Sequence, residues 1–156
     1  MVIRALTHAD RAAVAFSLEH LGEQSRFQRY LRTVPRLDPH ELDRLLDVDH
    51  WHHEGLIALR STPRAPVGIA EYVRLEDFET AELGVAVVDD WQHRGVGRAL
   101  IGVLRERALA AGIRRFSATA LRDNKAALSL LRELGPVDRV RSEGPLSELV
   151  VSLGRK

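Results

Sequence analysis

Val2 to Leu6 is a short apolar run that predicts a first strand. Thr7 and Asp10 have the spacing of a capping box, and Ala12, Val14 and Leu18 supply the apolar face of the helix that should follow. A second amphipathic piece is expected over Gln24–Leu31, with Pro35 interrupting it. Asp38-Pro39-His40-Glu41 repeats the start signal, with an N-cap carboxylate, Pro at the first helical position and Glu at the third; Leu42, Leu45 and Leu46 then share one face. After Trp51 the period changes. Gly55–Leu59, Val67–Leu75 and Thr80–Val88 are β-rich runs separated by Ser61-Thr62-Pro63 and Glu76-Asp77, the pattern of an antiparallel meander. Gly95–Ala111 is the longest helical stretch, stopped by Gly112. Arg115–Ala120 returns to strand and Asn124–Leu134 to helix, ended by Gly135-Pro136, with last strands near Asp138–Arg141 and Leu146–Leu153. The order β, helices, βββ, α, β, α, ββ predicts an α+β (mixed α/β) fold in which helices flank a mostly antiparallel sheet.

Composition narrows the function more than the fold. A chain of 156 residues fits one domain, expected to run from 1 to 156, and 45% hydrophobic with 29% charged residues is ordinary for a globular protein. The net charge of +1 argues against a dedicated nucleic-acid binder. With no Cys there is no disulfide framework, thiolate zinc site or cysteine nucleophile. MVIRALTHAD lacks the apolar stretch of a signal peptide, and no run approaches the length needed to cross a bilayer, so a cytoplasmic protein without a membrane partner is expected.

The candidate chemistry begins at the turn after Val88. A polar stretch, Asp89-Asp90-Trp91-Gln92-His93-Arg94, leads into Gly95-Val96-Gly97 and a long helix. A helix start carries unpaired N–H groups and the positive end of the macrodipole, and it suits an anion such as a pyrophosphate if no side chain blocks the approach. Gly95 and Gly97 remove those side chains, Ala99 keeps the next turn small, and Arg94 and Arg98 add mobile positive charge. By itself Gly-x-Gly is also an ordinary strand-to-helix connection. A dinucleotide fingerprint fails because position 100 is Leu, and a Walker A loop fails because no Gly-Lys-Ser/Thr follows.

Gln92-x-x-Gly95-x-Gly97-x-Ala99 resembles the acyl-CoA pyrophosphate loop of the GCN5-related N-acetyltransferase superfamily, and Asn124-Lys125-Ala126-Ala127 resembles its Asn-x-x-Ala helix start. The resemblance covers essentially the whole chain. It implies a central sheet of six to seven strands in which strands four and five splay apart, with acetyl-CoA as co-substrate in the gap. It further implies that the backbone of Val87 and Val88 pairs with the pantetheine amides. Gln92, His93, Arg94, Gly95, Val96, Gly97, Arg98 and Ala99 would hold the pyrophosphate, and Asn124 would approach from the other side of the gap. Asn124 equally suits a plain N-cap, and the two roles are compatible.

The implied reaction is attack of a neutral amine on a thioester. A lysine amine, with a pKa of about 10.4, arrives charged at neutral pH and must lose a proton, a task suited to a partly buried carboxylate. In Ala81–Val88, alternation puts Leu83, Val85 and Val87 on one face and Glu82 with Gly84, Ala86 and Val88 on the other. Glu82 therefore stands over small residues, with space beside it; the plain alternative is a solvent-facing Glu near a strand start. Ser25–Leu31, Val67–Arg74 and Ala81–Gly97 look like the catalytic domain of bacterial Pat-type protein lysine acetyltransferases, a resemblance that implies Glu82 as general base and a protein lysine as the favoured acceptor. Glu71 on the neighbouring strand is a lesser candidate. There are departures from the family pattern. Leu131 stands where many members have an acidic Tyr, and His93 where Gly is more usual. The 156 residues hold no cyclic-nucleotide-binding or acyl-CoA synthetase-like domain of the kind fused to some Pat proteins, so regulation by such a domain in cis is not expected.

His50, His52 and His53, with Asp47 and Asp49 nearby, are metal-type ligands. Neighbouring His residues on a connector rarely converge on one ion, so no metal is assigned, and His52 or His53 beside the acceptor is the better reading. Trp51 and Trp91 read as packing residues. Arg26, Arg29 and Tyr30 fit either the acceptor side or a solvated helix face. The expected activity is acetyl transfer from acetyl-CoA to a primary amine. The rivals are a small-molecule amine acetyltransferase and a non-catalytic acyl-CoA-binding module.

Overall fold

The computed structural model describes residues 1–19 and 39–154. The helix expected over Gln24–Leu31, Pro35, the N-cap Asp38 and the residues Arg26, Arg29 and Tyr30 lie outside them. Strands β1 (Val2–Ala5), β2 (His53–Ser61), β3 (Arg64–Arg74), β4 (Thr80–Val87), β5 (Arg115–Leu121), β6 (Val137–Glu143) and β7 (Leu146–Ser152) form one seven-stranded sheet in the order β1-β2-β3-β4-β5-β7-β6. The helices are α1 (Arg11–Glu19), α2 (Pro39–Leu46), α3 (Val96–Ala110) and α4 (Lys125–Leu134). Among the described residues none is long and apolar enough to cross a membrane.

Local signals set most of these ends. Asp10 accepts the Thr7 N–H at 2.9 Å, and Arg4 grips the same carboxylate with both terminal nitrogens at 2.8 and 2.9 Å. That grip holds the nearly buried Asp10 carboxyl below the usual carboxylate range, the Arg4 hydrogen bond outweighing burial. A short 3-10 turn, His8–Asp10, precedes α1. Pro39 opens α2, whose Leu42, Leu45 and Leu46 are all buried.

The sheet carries a core on each face. Leu56, Tyr72, Leu83 and Phe116 meet Leu100 and Leu104 of α3 and Leu128 of α4 on one side. Ile57, Leu59, Ile69 and Ala86 meet Val14 of α1 and the leucines of α2 on the other. Each fully buried Leu or Ile contributes about 1.5–3 kcal/mol, so both layers are needed to hold the sheet. The alternation read in β4 is observed as far as Val87, with Leu83 in the first core and Ala86 in the second; Val88, past the strand end, packs against the first core and not on the face of Ala86.

The feature that positions the site is a break in pairing. β1–β2–β3–β4 is an antiparallel meander, whereas β4 and β5 run parallel and pair only at Thr80–Arg115, Ala81–Phe116 and Glu82–Ser117. Beyond those pairs they part. β5 then pairs along its full length with β7.

At the opposite end of the hairpin, buried Arg74 donates to the carbonyls of Trp51, Phe78 and Ala111 at 3.1, 2.6 and 2.8 Å. Its guanidinium also stacks 3.6 Å from the Trp51 ring centroid, so Trp51 packs on a cation although nearly half exposed.

Candidate active site

The loop after β4 is held by hydrogen bonds to β3, to its own turn and to the strand end. The Val88 N–H donates to Val67 O at 3.0 Å, and the Trp91 N–H closes a 3-10 turn on Val88 O at 2.9 Å. Gln92 Nε2 donates to Val87 O at 3.1 Å, tying the loop back to the strand end. His93 has φ 62° and Gly95 φ 84°. Position 93 is thus in the left-handed region, which gives the physical reason for Gly there in the resembling family. Gly95 is the N-cap of α3, and no side chain caps the helix. The Ala99 N–H is the one that reaches back to Gly95 O, at 3.0 Å, so the N–H groups of Val96, Gly97 and Arg98 precede the ladder. A Cβ at Gly95 would have no atom within 4 Å, and one at Gly97 only ordinary contacts with Leu130 and Val87. The open space at this helix start is what an anion would need.

One expectation changes here. Arg98 is not a mobile charge: its Nε and Nη2 bond Glu133 of α4 at 2.9 Å each. Arg94 lies 4.9 Å from the Trp91 ring centroid. The indole therefore carries a cation on the loop as well as packing against the core.

Where β4 and β5 part, a cavity of about 690 Å³ opens. Val85 and Val87 of β4, Thr119 of β5, and Asn124, Ala127 and Leu130 from α4 and its cap line it, along with the loop. In an antiparallel pair the backbone groups of alternate residues point to opposite strands. Val88 donates to Val67 on β3, so Val85 and Val87 are the residues whose backbone faces the gap. The Val88 N–H is thus taken up within the sheet, and the same alternation puts Val85 beside Val87 at the gap. Asn124 Oδ1 accepts the Ala127 N–H at 3.2 Å, so the N-cap role is real, and the residue also lines the cavity. Leu131 is buried in the core and supplies no acid.

Glu82 sits at the closed end of the gap, in the last β4–β5 pair, and lines the cavity. Partial burial was expected; among the described residues it is exposed. The register places His53, Val73 and Glu82 in one cross-strand row and Gly55, Glu71 and Gly84 in the next, so Glu71 stands diagonal to both His53 and Glu82 on one face. Glu71 also lines the cavity.

The three histidines diverge. His50 Nδ1 meets buried Glu54 at 2.9 Å, and His52 Nδ1 meets Asp49 at 3.2 Å. His53 Nε2 meets Glu71 at 2.8 Å, while its Nδ1 lies 3.0 Å from Asp47 O. A carbonyl only accepts, so Nδ1 carries a proton. Burial works against charge on the His53 ring, but the bond to Glu71 and that carboxylate's charge, helped by Asp47 O and Asp49, outweigh it and raise its pKa. Asp49 Oδ1 accepts the N–H groups of Trp51, His52 and His53, which fixes this connector and holds the Asp49 carboxyl well below the usual range against its desolvation.

Residues 19–135 match the family described as the acetyltransferase (GNAT) family. Acetyltransferase Pat of Mycolicibacterium smegmatis is 34% identical over 125 residues, which are 80% of this chain and 36% of that protein. The chain therefore spans little more than a third of Pat's length. Acetyltransferase PA5475 of Pseudomonas aeruginosa is 27% identical over 137 residues, 86% of this chain and 74% of that protein. Among solved structures, the GNAT domain of S. lividans PAT superposes with a TM-score of 0.87 at 25% identity, covering 97% of this chain and 89% of that one. The acetyltransferase yncA from Salmonella typhimurium, solved with acetyl-CoA, gives 0.73 at 22% identity over 100% and 95% of the chains, a likeness of fold.

Proposed function

The chain belongs to the acetyltransferase (GNAT) family, and on that premise we propose that residues 1–156 act as one domain transferring an acetyl group from acetyl-CoA to a primary amine. One observation carries this reading: the gap between β4 and β5 ends at one side on an uncapped helix start and at the other on a carboxylate, Glu82. Bound in that gap, acetyl-CoA supplies an activated acetyl thioester. The backbone of Val85 and Val87 faces the place of its pantetheine arm, and the loop from Gln92 to Arg98, with Ala99 behind it, faces its pyrophosphate. Asn124 fixes the start of α4 on the opposite wall.

Glu82 takes a proton from the acceptor ammonium. The freed amine nitrogen bonds the carbonyl carbon, and that nitrogen, now cationic, gives its surplus proton to water as the carbon–sulfur bond breaks. The sulfur leaves as thiolate and takes a proton back from water, since Leu131 offers no acid. A protein lysine is the favoured acceptor. The likeness to Pat supports it, as does the exposed setting of Glu82 among the described residues, which suits a side chain presented by a partner. The cytoplasm, where acetyl-CoA is made and used, is the proposed setting.

Glu82→Gln tests the reading. The variant is expected to bind acetyl-CoA with unchanged affinity and to lose about 10²–10⁴-fold in kcat for lysine-peptide acetylation, the range of one general base. Equal turnover in the two proteins would remove Glu82 from the mechanism. Binding of acetyl-CoA without turnover in either would favour a non-catalytic acyl-CoA module.

A further inference from the structure

Glu71 lines the cavity with Glu82, His53 stands behind it, and the acetyl-transfer step itself leaves this pair without a task. Both side chains are largely covered, with exposures of 12% and 17%, and their contact is 2.8 Å. Glu71 projects from the middle of β3 onto the face that carries Glu82 and is flanked in its own row by Gly55 and Gly84. Diagonal neighbours across strands lie about 7–8 Å apart at the backbone, near enough for two glutamates to reach one small group between them. Two carboxylates on one face normally repel. Here the His53 ring offsets the charge of the inner one, and Asp47 O fixes which way that ring points.

Resting on the acetyl-transfer reading, we propose that Glu71, held in place by His53, is the second carboxylate of the acceptor-ammonium site and orients the amine after Glu82 has taken its proton. An alkylammonium has three N–H donors. One points to Glu82 and is lost as the proton moves. A second, kept by Glu71, remains on the neutral amine and restrains rotation about its C–N bond, which aims the nitrogen lone pair into the gap where the thioester carbonyl must lie. Glu71 is thus a binding residue and His53 a positioning residue. The site selects a primary alkylamine over a neutral hydroxyl, because a hydroxyl has one N–H-equivalent donor and cannot serve both carboxylates.

The test uses the full chain, acetyl-CoA and a lysine-containing peptide. Glu71→Gln is expected to raise KM for the peptide about tenfold, the scale of one hydrogen bond to a charged group, with kcat within about threefold of wild type. Glu71→Asp should recover part of that loss. His53→Leu should follow Glu71→Gln, and His53→Gln, whose amide still donates to Glu71 but carries no charge, should recover part of that loss. A titration of the CoA-loaded protein with the peptide should show the same ranking in Kd without turnover. The inference is overturned if Glu71→Gln leaves KM and peptide Kd unchanged, or if its kcat falls as far as that of Glu82→Gln, which would make Glu71 the base. Failure of the wild type to bind acetyl-CoA would instead sink the acetyl-transfer reading, and this inference with it; unchanged acetyl-CoA affinity in every variant separates the two failures.

Discussion

His53 shows how one side chain links the site to stability. Its pKa is raised in the folded protein because, despite burial, its ring is held by the Glu71 carboxylate and the Asp47 carbonyl. A raised imidazole pKa adds stability that is fully present below the ordinary value, about 6.5, and is lost as pH climbs through the folded-state value. Urea titrations between about pH 6 and about pH 9 should therefore show the wild type losing stability relative to His53→Gln as pH rises. Parallel pH curves for the two proteins would show that the pair stores no linkage. At this scale legibility followed distance along the chain. Asn124 read correctly as a cap because its partner, Ala127, is local. The Glu71–His53 contact spans 18 residues and the Arg98–Glu133 contact 35, so each depends on a register or a helix packing that no local pattern encodes.

Among the elements, the α3–α4 contact bears most directly on the site. Arg98 lies in the first turn of α3, where an anion would sit, and Glu133 in the last turn of α4 holds it. Both side chains are well exposed, so the pair is weak and screened by salt. Glu133→Gln should release Arg98 toward the loop and tighten acetyl-CoA binding about two- to fivefold at low salt, with the gain fading near about 1 M salt, where screening is short-ranged. A gain that persists there would have a cause other than charge. The elements themselves were largely legible: the meander, α3, α4 and the paired last strands appear where the hydrophobic period put them, displaced by a residue or a few at their ends. Strand ends resist reading because edge residues such as those of β6, exposed along its whole length, carry no alternation to mark them. The parallel β4–β5 step and the insertion of β7 between β5 and β6 are long-range facts. Periodicity is silent on them, and the splayed strands came from the family resemblance alone.

For the whole molecule, the consequence of that break is mechanical. Among the described residues, strand pairing joins the β1–β4 half of the sheet to the β5–β7–β6 half at Thr80, Ala81 and Glu82 alone, next to the bonds that Arg114 and Arg115 give to Glu79 O, and α3 and α4 straddle the opening with their packed faces. A donor lying in the gap would contact both halves and bind the folded chain alone. At about 100 times Kd such a ligand stabilises by about 2.7 kcal/mol, which for a chain of this size raises Tm by roughly 5–10 °C. Acetyl-CoA should give that shift with the wild type and, undiminished, with Glu82→Gln, whose carboxylate handles only the acceptor proton. Gly97→Glu should abolish it. An alanine Cβ fits at Gly97, with Leu130 and Val87 at 3.6 and 3.8 Å, so the helix start tolerates a side chain; a glutamate adds length and negative charge where the pyrophosphate would lie. The unliganded Tm of Gly97→Glu should accordingly stay close to that of the wild type, which separates loss of binding from loss of fold. An equal ligand shift in Gly97→Glu and wild type would place the donor elsewhere on the molecule and detach the helix start from the function.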